Sequence, residues 1–402
     1  MRTLAIGVAC ALPRLVFLIV YGPAPADGFN WDLSTGLRER FAFANGGGAT
    51  AEFDPLYPAF LAVARVLTRD SPWGVAGVQI LVASAGAVLL DRLVRAMTGR
   101  AAAGAIAAAL YAGYPYLIRQ SVSWLEVTFV STLLLAAWLS WAERRWVRCA
   151  GWLGLVTLAR FMMLPIGLLA IAAIVTWAPR RQALGALLVF ACLVGPWMAR
   201  TYRMDGTLLP SRNGEDLYVG NNPYGFAMIP RDDLDLLVEP AHRAIELDAG
   251  RRLSPAELNR EYTTRAVAFM TSNGWRTLGA KIANVYYLFQ PRLVPYQPAG
   301  PETAITFLPD GRYRVERPRQ RSAPQELAHA IAYGGVLAAG LVGLFRRRRL
   351  WREDALILLS ILVVTAVASV YFPTTRIRAP LDPALMAYAA CAISRRLDHP
   401  LE

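Results

Sequence analysis

Apolar blocks and polar connections alternate along the chain, and most blocks are about as long as the ~20-residue helix that crosses a ~30 Å hydrocarbon core. They run over 4–21, 74–96, 101–118, 121–142, 183–200, 327–345, 354–372 and 378–394. One longer stretch, 151–177, has arginines beyond both ends and Arg160 and Pro165 in its middle. Arginine is costly at the bilayer centre and proline breaks the helical hydrogen-bond ladder, so this stretch is predicted to fold back as two short spans. The alternative is one long tilted helix, which would reverse the sidedness of everything after it. Two segments are too polar for lipid: 21–73, with Asp27, Asp32, Arg38, Arg40 and Gly46-Gly47-Gly48, and 201–327, with turn-rich stretches such as Gly220-Asn221-Asn222-Pro223. Within the second, 254–271 opens with the capping-box pattern Ser254-Pro255-Ala256-Glu257 and reads as a helix. A more apolar helix over 275–289 carries Trp275, Tyr286 and Tyr287, residues suited to the membrane interface.

The pattern predicts an all-α polytopic membrane protein of about ten transmembrane helices with an α-rich polar region between later spans. Three parts follow: a transmembrane core over 1–200 that includes the loop 22–73, a polar loop region over 201–326, and C-terminal helices over 327–402. No internal repeat is evident, which weighs against an inverted-repeat transporter.

Composition agrees, with 55% hydrophobic and 18% charged residues and a mean hydropathy of +0.34. The net charge of +13 does not point to nucleic acid. It comes almost wholly from arginine, Lys281 being the sole lysine, and the arginines gather at alternating ends of successive blocks. That is the positive-inside signature. It places Arg2, Arg92, Arg95, Arg100, Arg144, Arg145, Arg148, Arg180, Arg181, Arg346 to Arg349, Arg395 and Arg396 on the cytoplasmic side, with both chain ends there and both polar segments outside. Arginine-for-lysine usage suits a GC-rich bacterial genome, hence a bacterial inner membrane. The first apolar run lacks a small-residue cleavage site and reads as a retained span. Cys10, Cys149, Cys192 and Cys391 show no metal-binding or disulfide spacing, and His242, His329 and His399 are too few for an imidazole-rich centre.

Ionisable residues beside the outer ends of the spans are the candidates for chemistry. Asp27 follows the first span, where a lipid head group would be presented; its bland reading is a helix cap or a solvated loop charge. Asp54 and Tyr57 belong to Phe53-Asp54-Pro55-Leu56-Tyr57-Pro58, an aromatic, proline-rich entry to an apolar helix that serves as an interfacial anchor or lines a pocket. Tyr114 and Arg119 lie in the next outer turn, and Glu126 falls inside an otherwise apolar span. An acid there needs a partner or a water-filled cavity, and Arg119 and Arg160 are candidate ion-pair partners. Arg200, Arg376 and Arg378 are outer arginines that positive-inside logic does not explain; phosphate binding through the guanidinium fork competes with salt bridges to Asp382 or Asp54.

In order, these pieces resemble the GT-C fold glycosyltransferases, specifically the bacterial relatives of protein O-mannosyltransferases and of the lipid A aminoarabinose transferase. The resemblance runs from the early acid through Pro55-Leu56-Tyr57-Pro58, Tyr114-Pro115 and Glu126, then Gly154-Leu155 to Leu158-Ala159-Arg160 and Pro196-Trp197 to Arg200. It continues through Gly214 with Gly220-Asn221 to Arg376-Ile377-Arg378-Ala379-Pro380. The chain departs in having Gly28 directly after Asp27, Trp31 at the usual tyrosine position and Thr201 after Arg200, so either Asp27 or Asp32 takes the place of the family aspartate.

The resemblance implies a GT-C-like bundle and a glycosyltransferase that moves a sugar from a polyprenyl-phosphate donor to a lipid, glycan or protein acceptor on the extracytoplasmic face, with inversion. Asp27 would then be the base and Glu126 would orient an arginine or contact the acceptor. Arg160, Arg376 or Arg378 would stabilise the leaving phosphate, with Asp32, Asp54, Tyr57, Tyr114, Arg119 and Arg200 as further substrate-binding candidates. A lipid donor requires no soluble nucleotide-sugar site and no cofactor, though a divalent cation between Asp27 and Glu126 stays open. A transporter or flippase of a lipid-linked or polar substrate is the competing class; a non-catalytic scaffold would tolerate neutral substitution of Asp27, Glu126 and Arg378.

Overall fold

A computed structural model describes residues 1–45, 48–210, 212–300, 302–308, 312–317 and 319–397. Gly46, Gly47 and His399 lie outside the described residues, as do the side chains of Arg395 and Arg396. The first half of the chain forms helices α1 (Arg2–Tyr21), α2 (Phe29–Arg40), α3 (Leu56–Leu67), α4 (Pro72–Thr98), α5 (Ala101–Ala112), α6 (Pro115–Gln120), α7 (Val127–Ala142), α8 (Trp146–Ala159), α9 (Leu164–Trp177) and α10 (Arg180–Asp205). The polar region follows as α11 (Asn213–Val219), α12 (Pro223–Met228), α13 (Val238–Ala249), α14 (Pro255–Ser272) and α15 (Gly274–Phe289). The chain closes with α16 (Ala323–Arg347), α17 (Ala355–Val370), α18 (Thr375–Arg378) and α19 (Asp382–Leu397). Two antiparallel hairpins, β1 (Ala44–Asn45) with β2 (Gly48–Ala49) and β3 (Ala304–Phe307) with β4 (Tyr313–Glu316), decorate the polar segments.

Four helices, α1, α4, α10 and α16, are long and apolar enough to cross a membrane individually, and shorter apolar helices pack among them. The fold is a polytopic membrane bundle. The stretch 151–177 does fold back: α8 stops at Ala159, Arg160 is extended, and α9 starts with Pro165 in its first turn, where no amide hydrogen is missed. Packing confirms the return. Gly151 lies against Val189, Gly154 against Leu193 and Gly185 against Val147, so α8 and α10 run parallel with α9 descending between them.

The Arg-rich connections share one end of the bundle, tied by their own contacts. Arg2 bonds Asp91 (2.6 Å) and the Ala101 carbonyl, and Arg92 meets Glu143 (3.6 Å). Arg347 grips Asp354 through two bonds (2.8 and 2.9 Å) and reaches the Met97 carbonyl, while Arg346 reaches that of Ala392. The polar elements α2 and α11 to α14 and the hairpins, with the more apolar α3 and α15, gather at the opposite end. Within them, Ser254 and Glu257 form the expected capping box at the head of α14. Along α15, Trp275, Leu278, Ile282 and Tyr286 are exposed on one stripe, and Lys281 on another side bonds Asn221 and the Val370 carbonyl at the end of α17.

Several ends differ from the hydropathy reading. The span expected over 101–118 stops at Ala112, and a new helix starts with Pro115 at its first position. The span expected over 121–142 begins only at Val127, which moves Glu126 out of the helix to its head. The last span begins at Asp382 rather than 378, after a 3-10 turn built around Pro380. Inside the bundle, α1 carries a fully buried Arg14 that pairs with no carboxylate among the described residues. Its guanidinium bonds the Ser121 hydroxyl (3.1 Å) and the Cys10, Tyr111 and Ala112 carbonyls, so it caps the open end of α5.

Candidate active site at the polar end of the bundle

Three spans deliver charge to one point beneath the polar elements. Glu126 immediately precedes α7, Arg160 ends α8, and Arg376 sits in the one-turn helix α18, which the Thr374 side chain caps by accepting from the Ile377 amide (3.2 Å). Arg376 holds the Glu126 carboxylate in a two-bond fork, Nη2 at 2.7 Å and Nε at 3.2 Å. Arg160 Nη1 reaches the same carboxylate at 3.0 Å and the Arg376 carbonyl at 3.3 Å. Two guanidinium groups thus share one carboxylate, so within this trio positive charge is in excess, with Asp54, Asp216 and Asp235 as more distant acids.

Asp54 borders this group. Its Oδ1 accepts the Phe161 amide (3.0 Å) one residue from Arg160, and burial pushes its carboxyl up to about 7 despite that bond. Beyond it stands a column of rings and cations: Arg376 lies over Phe29 (5.7 Å), Phe29 stacks on Phe53 (5.3 Å), and Arg212 lies over Phe53 (5.7 Å). Arg212 in turn pairs with Glu215 (2.8 Å) and more loosely with Asp216 (3.8 Å), and burial raises the carboxyls of both acids.

Asp27 is exposed, two residues before Phe29, the ring over which Arg376 lies. Its loop is stitched to the strip that leads into Glu126: Ala24 donates to the Val122 carbonyl (3.0 Å), Trp124 Nε1 to that of Pro25 (2.6 Å), and Asn30 to that of Trp124 (3.0 Å). Gly28 has a φ of +90°, a conformation that side-chain-bearing residues rarely adopt, which accounts for a glycine directly after the acid. Asp32 is exposed on α2, and its carboxylate takes part in none of the cluster's bonds.

The remaining candidates make no hydrogen bond to this cluster, although Tyr57 lies within electrostatic reach of Glu126 and Arg376. Tyr57 is buried and donates to Gln79 (2.6 Å), tying α3 to α4. Tyr114 donates to Asp382 (2.8 Å), which also takes Arg378 Nε (3.2 Å); Arg378 further bonds the Leu288 and Gln290 carbonyls and lies over the Tyr333 ring (3.5 Å). That is a buried strut holding the end of α15 to α16 and α19. Arg200 braces the first polar segment through the Thr50 carbonyl (2.9 Å) and the Trp197 ring (4.5 Å), and Arg119 is exposed. Of the sequence candidates, the structure therefore gathers Glu126, Arg160, Arg376 and Asp54, with Asp27 in the loop before Phe29. Sequence reasoning had Phe53 within an aromatic element and missed Phe29, Arg212, Glu215 and Asp216; the available signal for the last three was an acid pair three residues after an arginine in a turn-rich stretch. Among the described residues no three His, Cys, Asp or Glu side chains form a metal-binding group.

Among solved structures, the chain is similar to the archaeal oligosaccharyltransferase AglB from Archaeoglobus fulgidus. The complex of that protein with an inhibitory peptide and a dolichol-phosphate matches at a TM-score of 0.52 and 14% identity, over 99% of this chain and 50% of that one. Its apo form matches at 0.53 and 15%, over 98% and 50%. ArnT from Cupriavidus metallidurans bound to undecaprenyl phosphate matches at 0.42 and 14%, over 98% and 78%. No protein-family model matches the chain, and no curated protein matches it by sequence. The likeness to AglB shows a GT-C-like fold, and the chain spans about half the length of that oligosaccharyltransferase.

Proposed function

We propose that the protein is a membrane glycosyltransferase that takes a sugar from a polyprenyl-phosphate donor and passes it to a hydroxyl acceptor on the extracytoplasmic face. The observation that carries this reading is the convergence of Arg160 and Arg376 on one carboxylate at the polar ends of three spans, inside a GT-C-like fold. A lipid phosphate is a leaving group that needs its negative charge stabilised more than it needs a proton, and two preorganised guanidinium groups that share one carboxylate meet that need. Glu126 orients both forks and keeps them from repelling each other before the donor arrives.

The exposed carboxylate of Asp27 takes the acceptor's proton. The acceptor oxygen attacks the anomeric carbon from the side opposite the phosphate, the carbon–oxygen bond to phosphate breaks with its electron pair, and the sugar is transferred with inversion. The AglB complex holds a dolichol-phosphate, so a protein of this fold takes a lipid phosphate, which supports the reading. On the positive-inside reading, the Arg-rich end is cytoplasmic and the site faces out of a bacterial inner membrane.

The test is reconstituted protein offered a panel of labelled polyprenyl-phosphate sugars with membrane extract as acceptor. Wild type should release lipid phosphate and label an acceptor. Asp27→Asn should lose at least about 100-fold of that rate, the lower range for removal of a general base. Arg376→Lys, which keeps the charge and loses the fork, should be impaired as well. If folded wild type transfers none of the sugars but carries a lipid-linked sugar across the bilayer, the transporter reading replaces this one.

A further inference from the structure

A second cavity opens on the far side of Phe53 from the Glu126 group. It has a volume of about 160 Å³, and Glu52, Phe53, Arg212, Glu215, Asn259 and Tyr262 form most of its wall. One ring-sized polar group fits such a space.

Its charge is unbalanced. Arg212 is the cation of the wall, and its charge is taken up by Glu215 at 2.8 Å and Asp216 at 3.8 Å. Glu52 joins no ion pair among the described residues; the Arg212 charge favours its ionised form from a distance while already paired with Glu215, and the neutral Thr50 hydroxyl and His242 add less. Burial raises the carboxyls of both Glu52 and Glu215 against the pull of the Arg212 charge, and neighbouring acids, Asp205 for Glu52 and Asp216 for Glu215, raise them further. The rest of the wall suits a sugar ring. Asn259 spends its carbonyl oxygen on the Gly214 amide (2.6 Å), which leaves its amide N–H groups to donate to hydroxyls. Val238 and Leu258 offer aliphatic surface to the C–H face of a ring, and the Tyr262 ring adds an aromatic edge to the wall.

The position is also apt. Phe53 is at once a wall of this cavity and the ring stacked on Phe29, which lies beneath Arg376, and Asp54 is the next residue along.

We propose that this cavity is an acceptor subsite for an ammonium-bearing sugar, held by Glu52 and placed one aromatic step from the reacting centre. The proposal rests on the glycosyltransferase reading for its role, but binding at the cavity does not require turnover, so the two can fail separately.

The experiment uses the full chain in lipid nanodiscs near pH 7, with saturation-transfer NMR reading the binding of glucosamine and, as the uncharged comparison, glucose. Glucosamine should bind at least about 10-fold more tightly than glucose. Glu52→Gln should erase that preference while leaving the weak glucose signal, and Leu258→Trp, which fills the cavity from an aliphatic position, should abolish both. Equal binding of the two sugars, no binding of glucosamine to wild type, or glucosamine binding indifferent to both variants would overturn the proposal. Where transfer can be followed, Glu52→Gln should raise KM for an amino-sugar acceptor about 10-fold with kcat little changed, in contrast to the kcat loss of Asp27→Asn. Transfer to neutral acceptors alone would leave the transferase standing and sink the amino-sugar subsite.

Discussion

At the scale of single residues, the informative signal in the sequence was an ionisable group beside an apolar block. Such a group must be partnered, and that argument led to Glu126, Arg160, Arg376 and Arg378. The same argument does not separate a site from a strut. Arg376 ends on a carboxylate shared with another arginine, whereas Arg378 ends on Asp382 and two backbone carbonyls, wholly consumed by the fold. Only the direction in which α18 aims the two side chains distinguishes them, and direction is a property of packing. Glu52, Arg212 and Glu215 escaped notice for the opposite reason, since charges in a polar segment look solvated until tertiary structure buries them. Asp54 makes a prediction at this scale. Its carboxyl, ordinarily near 3.8, is raised to about 7 by burial, so the folded chain holds a proton that the unfolded chain releases. The resulting stability is fully present below about 3.8 and is lost as pH rises through about 7. Glu52, Glu215 and Asp216 shift the same way, so the test is a difference between variants. Between pH 5 and 8 the melting temperature of wild type in detergent should fall more than that of Asp54→Asn. Parallel curves would show that Asp54 is ionised throughout.

At the scale of elements, block length and the Arg160-Pro165 interruption were enough to place the spans, because lipid punishes an unpaired backbone more strictly than water does. Their ends were less legible. Proline at 115 and 380 restarts helices where hydropathy runs on, and the hairpins β1–β2 and β3–β4 are too short to leave an alternation pattern. Helix pairing was not legible either, since it depends on small residues that hydropathy counts as merely apolar. On α16, Gly340 lies against the Leu385 carbonyl, and a Cβ on Gly343 would stand 1.8 Å from the Tyr388 carbonyl, so α16 and α19 run parallel at backbone contact. Gly343→Val should therefore force the pair apart, at about 1–3 kcal/mol for an overpacked contact, and lower the melting temperature. Gly335→Val on the same helix, where a Cβ meets nothing within 4 Å, should melt like wild type. Equal tolerance at both positions would mean the two helices are not packed this closely.

At the scale of the whole molecule, one asymmetry organises everything else: arginines knit one end of the bundle together, and the other end carries the polar elements and the charge cluster. The contacts of Arg2, Arg92, Arg346 and Arg347 fix which connections are neighbours without reference to any membrane. The positive-inside rule then assigns the end they form to the cytoplasm. Orientation decides the chemistry, because a site at the polar end meets extracytoplasmic acceptors only if that end faces out. Cys192 is exposed and must first be replaced, while Cys10, Cys149 and Cys391 are buried and should stay silent. In that background, Ser272→Cys reports the polar end and Glu353→Cys the Arg-rich end, both at exposed positions. A membrane-impermeant thiol reagent applied to intact cells should label the first and reach the second only after the membrane is opened. The reverse pattern would turn the bundle over, place the Arg160–Arg376 cluster on the cytoplasmic face, and require a donor and acceptor available there.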